Sequence, residues 1–179
     1  MLADKSNTDR IFLVGPMGSG KTTVGRILAS NLKMSFADTD DEIEQRSGAS
    51  VSWIFDVEGE AGFRNREEQI VEEITKRKDI VVSTGGGVVL RKKNRETLSN
   101  RGFVVYLRAS IEELVGRMAG DKKRPLLQVD DPLEKIRQIV LERDPLYLET
   151  ADFVFEAHGL SSKSAAHRIT INIINAFST

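Results

Sequence analysis

The run Gly15-Pro16-Met17-Gly18-Ser19-Gly20-Lys21-Thr22 directly follows Ile11-Phe12-Leu13-Val14 and constrains the fold more than any other stretch of the chain. Four consecutive apolar residues predict a short strand buried on both faces. After the glycines, Val24, Ile27, Leu28 and Leu32 recur at helical spacing. Strand, glycine-rich turn and helix together form the setting in which G-x-x-x-x-G-K-[ST] acts as a phosphate-binding loop. Backbone N–H groups of the loop and helix start converge on phosphate oxygens there, and the helix dipole favours negative charge. Without a ligand the arrangement is costly. Gly18, Ser19 and Gly20 are poor helix formers, and Lys21 puts a cation at the positive end of a helix. The pattern predicts a nucleoside triphosphate site, with Lys21 on the outer phosphates and the Thr22 hydroxyl suited to Mg²⁺.

Composition narrows the class. A chain of 179 residues, 40% hydrophobic and 30% charged, is long enough for one sizeable core and reads as a single soluble domain with a small lid. The net charge of −1 gives no overall field toward nucleic acid or anionic membrane, and no segment has the length of a membrane span. The absence of cysteine excludes disulfides, thiolate metal sites and cysteine nucleophiles. Residues 1–9 are polar, lack the apolar run of a signal peptide and are expected to form a flexible tail, so the expected compartment is the cytoplasm.

Along the chain, apolar runs alternate with helical patterns. Strands are expected at 10–14, 35–37, 80–82, 103–107 and 153–155. Helices are expected at 21–33, around 43–45, across most of 51–77 with a loosened stretch at Gly59 and Gly62, and at 91–100. A capping box of Ser110 and Glu113 opens another to about 119; one more runs from 132 or 133 to a stop at Pro145, and the last carries Ala166, Ile169, Ile173 and Phe177. This alternation predicts a three-layer α/β sandwich around a five-stranded parallel sheet, with ligands beyond the carboxyl ends of the strands.

Candidates for chemistry do follow strands. If their segment is extended, Asp38 and Asp40 project to one side, toward the phosphate loop. There a carboxylate holds Mg²⁺ through water or accepts a hydroxyl proton; helix capping is the competing role. Gly85-Gly86-Gly87 lose much backbone entropy on folding, which calls for either unusual dihedrals or a ligand against bare backbone. Arg64 follows Phe63 on a buried face, and Arg143 prolongs the apolar stripe of Ile139 and Val140. A buried arginine needs an anion, which a protein carboxylate or an acidic second substrate supplies equally well. Lys122-Lys123-Arg124-Pro125 reads either as a solvated loop or as part of a lid over 118–131 that brings Arg124 onto a transferring phosphoryl group, with Arg117 one turn before it. His158 and His167 are isolated and receive no catalytic role, and Trp53 is expected in the core.

Assembled, the segments Gly15 to Thr23, Asp38-Thr39-Asp40, Gly59-Glu60-Ala61-Gly62-Phe63-Arg64, Gly85-Gly86-Gly87, Arg124-Pro125-Leu126-Leu127 and Arg143-Asp144-Pro145-Leu146-Tyr147 resemble the shikimate kinases, in the P-loop nucleoside-monophosphate-kinase-like group, over about Ile11 to Asp152. The resemblance implies transfer of the γ-phosphoryl group of ATP to the 3-hydroxyl of shikimate, with Mg²⁺, on the route to chorismate and the aromatic amino acids, by a monomeric cytoplasmic enzyme. It implies catalytic roles for Lys21, Asp40 and Arg124. It implies nucleotide contacts from Gly18, Ser19, Gly20, Lys21, Thr22, Thr23, Arg117 and Arg124, with Arg117 against adenine. Shikimate would be held by Asp40, Arg64, Gly86 and Arg143, and Mg²⁺ by Thr22, with Asp38 behind a coordinated water. The residues alone do not choose the acceptor. Two arginines suit a phosphate as well as a carboxylate, so a nucleoside monophosphate kinase, a gluconate-type kinase and a nucleotide-gated binding module stay open.

Overall fold

A computed structural model of the chain describes residues 9–118 and 131–177. Strands β1 (Arg10–Val14), β2 (Ser35–Asp38), β3 (Ile80–Ser83), β4 (Phe103–Arg108) and β5 (Phe153–Glu156) form one parallel sheet in the order β2-β3-β1-β4-β5. Parallel neighbours need crossover connections, and the helices that supply them cover both faces. They are α1 (Lys21–Leu32), α2 (Thr39–Ser47), α3 (Val51–Ile74), α4 (Lys92–Arg101), α5 (Ile111–Met118), α6 (Pro132–Thr150) and α7 (Ser162–Phe177), with a 3-10 turn at Val88–Leu90.

β1 explains the layering. Ile11 and Leu13 pack with Leu28 and Ala29 of α1 and Ile169 and Ile173 of α7. Phe12 and Val14 face the other way, among Ile54, Phe63, Ile70, Leu98 and Tyr147 of α3, α4 and α6. All four are 0% exposed, so the strand reads as an unbroken apolar run instead of an alternating one. Burying each such side chain contributes roughly 1.5–3 kcal/mol. The Ser110 and Glu113 capping box forms with both of its bonds, at 3.2 and 3.3 Å.

Several local expectations are corrected. α2 begins at Thr39, not near Ile43, because the Asp38 side chain accepts from the Asp40 N–H at 3.0 Å and caps the helix. Asp40 is therefore helical, not extended. Gly59, with φ 71° and ψ 178°, breaks α3 as expected, but Gly62 lies within regular helix. Pro145 does not end α6, which continues to Thr150. A mid-helix proline costs about 3 kcal/mol. The turns beyond it are held by burial of Tyr147 and by the Thr150 hydroxyl, which donates to the Leu146 carbonyl at 2.6 Å. Trp53 is 52% exposed and belongs to no core; its neighbour Ile54 is the one buried. The tail expected at 1–9 and the lid expected at 118–131 lie, apart from Asp9, Met118 and Asp131, outside the described residues. Among those described, no helix is long and apolar enough to cross a membrane.

Candidate active site

The chain leaves β1 at Val14 and turns into α1 through Gly20, whose φ of 92° lies in the left-handed region that a Cβ disfavours. No side chain caps α1, the geometry in which a helix start receives an anion. Lys21 is buried beneath the loop, and its Nζ donates to the Pro16 carbonyl at 2.7 Å and to Ser19 Oγ at 3.4 Å. From α5, Arg117 donates to the carbonyls of Gly18 and Ser19, at 3.3 Å each, and so braces the loop from outside.

Beside the helix start, the Thr22 hydroxyl donates to Asp38 Oδ2 at 2.8 Å and lies 3.3 Å from Ser83 Oγ. Hydroxyl and carboxylate oxygens on rigid element ends are hard donors, and Mg²⁺ takes one or two of these with water and phosphate completing its shell. Thr22 and Asp38 therefore fit that ion. Ser83 joins them, although the sequence reading passed over it; Asp38 and Ser83 are register partners on adjacent strands. Asp40 faces the same cavity of about 410 Å³, which extends from Gly18 and Thr22 to Thr84 and Gly86. Its Oδ1 is buried with no hydrogen-bond partner. Burial, reinforced by the charges of Asp38 and Glu67, pushes its carboxyl from 3.8 up to about 7, against the pull of Lys21 and Arg64.

The glycines after β3 do not have unusual dihedrals, and at two of them the protein's own side chains add a reason for bare backbone. None of Gly85, Gly86 and Gly87 has a positive φ. A Cβ on Gly85 would lie 2.9 Å from both Asp40 Oδ1 and Glu67 Oε1, and one on Gly87 would overlap the Arg64 guanidinium. Bare backbone here makes room for the protein's own charged side chains. The Gly85 N–H donates to the Thr39 hydroxyl at 2.9 Å, which ties this loop to α2.

Arg64 is buried and donates to Glu67 Oε2 at 2.7 Å, with Glu60 Oε1 at 3.2 and 3.3 Å. Glu67 is wholly buried, its Oε1 lacks a hydrogen-bond partner, and burial raises its pKa despite Arg64. Glu67 was missed in the sequence, where its spacing three residues after Arg64 was the available signal. Arg143 is buried on α6 with its Nε unpartnered. One turn later the Tyr147 hydroxyl donates to the Gly86 carbonyl. Lys21, Asp40, Arg64, Gly86 and Arg143 thus gather at the carboxyl end of the sheet. Arg124 lies outside the described residues. His158 is exposed beside Glu113, 3.5 Å away, and is no part of the cavity.

A family model described as shikimate kinase matches residues 17–174. The chain is 53% identical over 168 residues to the shikimate kinase of Vibrio parahaemolyticus serotype O3:K6, covering 94% of this chain and 96% of that one. It is 53% identical over 175 residues to the shikimate kinase of Pasteurella multocida, covering 97% and 98% respectively. Among solved structures, the Acinetobacter baumannii shikimate kinase in complex with shikimate superposes with a TM-score of 0.93 at 46% identity, over 96% of each chain. The shikimate kinase of Aquifex aeolicus gives 0.82 at 32% identity, over 95% of this chain and 99% of that one.

Proposed function

The chain belongs to the shikimate kinase family, and on that premise we propose how its site carries out the ATP-dependent phosphorylation of shikimate. The observation that carries the reading is a set of orphaned buried atoms around the glycine loop: Asp40 Oδ1, Glu67 Oε1 and Arg143 Nε. Each unsatisfied buried polar group costs roughly 1–3 kcal/mol. A small polyhydroxy acid supplies what they lack, hydroxyls for the carboxylates and a carboxylate for the arginine. Asp40 receives the 3-hydroxyl, Arg64 and Arg143 grip the carboxylate, and the Gly86 backbone lies beneath it.

ATP lays its phosphates over Gly18, Ser19, Gly20, Thr22 and Thr23, and Lys21 exchanges the Pro16 carbonyl for the outer phosphate oxygens. Arg117 then borders adenine from its place on the loop. When bound through Thr22 and, by way of water, Asp38, Mg²⁺ neutralises charge on the phosphate oxygens. The acceptor oxygen attacks γ-phosphorus, the bond to ADP breaks, and the hydroxyl proton passes to Asp40. In a loose transition state the nucleophile gains little charge before the bond forms, so orientation by Asp40 matters more than its basicity. Arg124 supplies a further cation to the transferring group. The product step serves the route to chorismate, in a monomeric cytoplasmic enzyme.

ADP release with ATP and Mg²⁺ is measured with shikimate, gluconate, nucleoside monophosphates and no acceptor. Only shikimate is expected to raise turnover above the acceptor-free rate; comparable turnover with another acceptor overturns the assignment. Arg143→Ala is expected to raise the shikimate KM about ten- to hundredfold with the ATP KM unmoved, the loss of one charge-assisted contact. An unchanged shikimate KM makes Arg143 a structural residue.

A further inference from the structure

Tyr147 takes no part in the chemistry above, yet it is fully buried where three parts of the site meet. It follows Arg143 by four residues on α6, so both side chains leave the same helix face. The Arg143 guanidinium interacts with the phenol, and burial raises the phenol's pKa above its usual range, which keeps it a neutral donor. Its hydroxyl donates to the Gly86 carbonyl. Gly86 in turn lies against the phosphate loop, since a Cβ there would be 3.0 Å from the Met17 nitrogen. On the other side, the Tyr106 ring lies 4.9 Å from the Tyr147 ring, centroid to centroid. The Tyr106 hydroxyl donates to Asp144 Oδ1 at 2.6 Å, and Arg108 holds Oδ2 at 3.0 Å. Asp144 thereby anchors α6 to β4, and Tyr147 anchors the next turn to the loop after β3. Pro145, between them, removes a backbone N–H from the helix ladder, so side-chain anchors carry more of the helix's placement at this point.

We propose that Tyr147 is a positioning residue for the acceptor: its bond to the Gly86 carbonyl sets the distance between the Arg143-bearing turn of α6 and the glycine loop, and with it the grip on the acceptor's carboxylate. The proposal rests on the acceptor reading above. Tyr147→Phe removes one oxygen and keeps the ring against Tyr106. In the full chain this variant raises the shikimate KM about tenfold, the scale of one lost hydrogen bond, and leaves the ATP KM within about twofold. In an Arg143→Ala background the same change shifts the shikimate KM by less than about twofold, because contacts that act as a unit are not additive. A merely structural tyrosine lowers the melting temperature but leaves the shikimate KM alone, or shifts it equally in both backgrounds; either result overturns the proposal.

Tyr106→Phe removes one of the two anchors of Asp144, leaving that of Arg108, and keeps the Gly86 bond intact. It is expected to raise the shikimate KM in the same direction by about two- to fivefold without moving the ATP KM. Should Tyr147→Phe not fold, this variant decides, and an unmoved shikimate KM sinks the proposal. If the wild-type chain phosphorylates shikimate and Arg143→Ala weakens it while Tyr147→Phe is silent, the positioning role alone falls. If the wild-type chain does not use shikimate, the acceptor reading falls and takes the role with it.

Discussion

Lys21→Ala is expected to lower kcat by about a thousandfold or more in a protein that still folds. The side chain is buried inside the phosphate loop, 2.7 Å from the Pro16 carbonyl, so its charge is already in place before nucleotide arrives. Transfer of a phosphoryl group asks the protein mainly for positioning and for charge stabilisation, and a cation that only exchanges a carbonyl for phosphate oxygens provides both with little reorganisation. In the free protein the same ammonium opposes the positive end of α1, which offsets part of what its bonds to the Pro16 carbonyl and Ser19 Oγ contribute, about 1 kcal/mol each, so the variant still folds. The measurements are ADP release at saturating ATP and shikimate, and thermal unfolding by circular dichroism. A kcat within about tenfold of wild type removes Lys21 from the reaction.

Asp40→Asn is expected to separate activity from stability. kcat falls by about a hundredfold or more, because a neutral amide oxygen holds the hydroxyl more weakly than a carboxylate does and cannot take its proton. Stability moves the other way at pH 8. The Asp40 carboxyl lies in the free protein at about 7 against 3.8, raised by burial first and by Asp38 and Glu67 next. Between those values the folded chain keeps a proton that the unfolded chain has released. Wild-type stability therefore declines as pH rises through that window, and the whole penalty, up to about 4 kcal/mol, is present above it. Asparagine stays neutral throughout. In buffer with a chelator the variant's gain in melting temperature is near zero at pH 4 and largest at pH 8. An equal difference at both pH values, or a less stable variant at pH 8, would show that the Asp40 carboxylate carries no such strain.

The acceptor side of the site is built the same way. The half-buried Asp40 and the wholly buried Glu67 flank Gly85 with orphaned oxygens. Strain of this kind is what a binding site accumulates when its ligand is part of its hydrogen-bond complement. Arg64 partly relieves it through Glu67, so that arginine serves a protein carboxylate and, in the proposed complex, a substrate one.

Features with a short-range cause were legible from residue order. Ile11 to Val14 had to be buried on both faces whatever covers them, and Gly20 before Lys21 had to turn a chain into a helix start; an unbroken apolar run and a glycine announce both needs locally. Arg64 showed itself beside Phe63 on a buried face and Arg143 by prolonging the stripe of Ile139 and Val140, and both are buried. What residue order did not reveal depends on partners far along the chain. Thr22 and Ser83 are 61 residues apart, as are Tyr147 and Gly86. Helix α6 passes through Pro145 because anchors on β4 and on the loop after β3 outweigh a local rule. Gly85 and Gly87 are bare where Asp40, Glu67 and Arg64, from α2 and α3, crowd onto them, and Gly86 where the phosphate-loop backbone does. Periodicity and turn chemistry act over a few residues and specify elements; which charged groups share a cavity is decided only when the sheet brings its strand ends together.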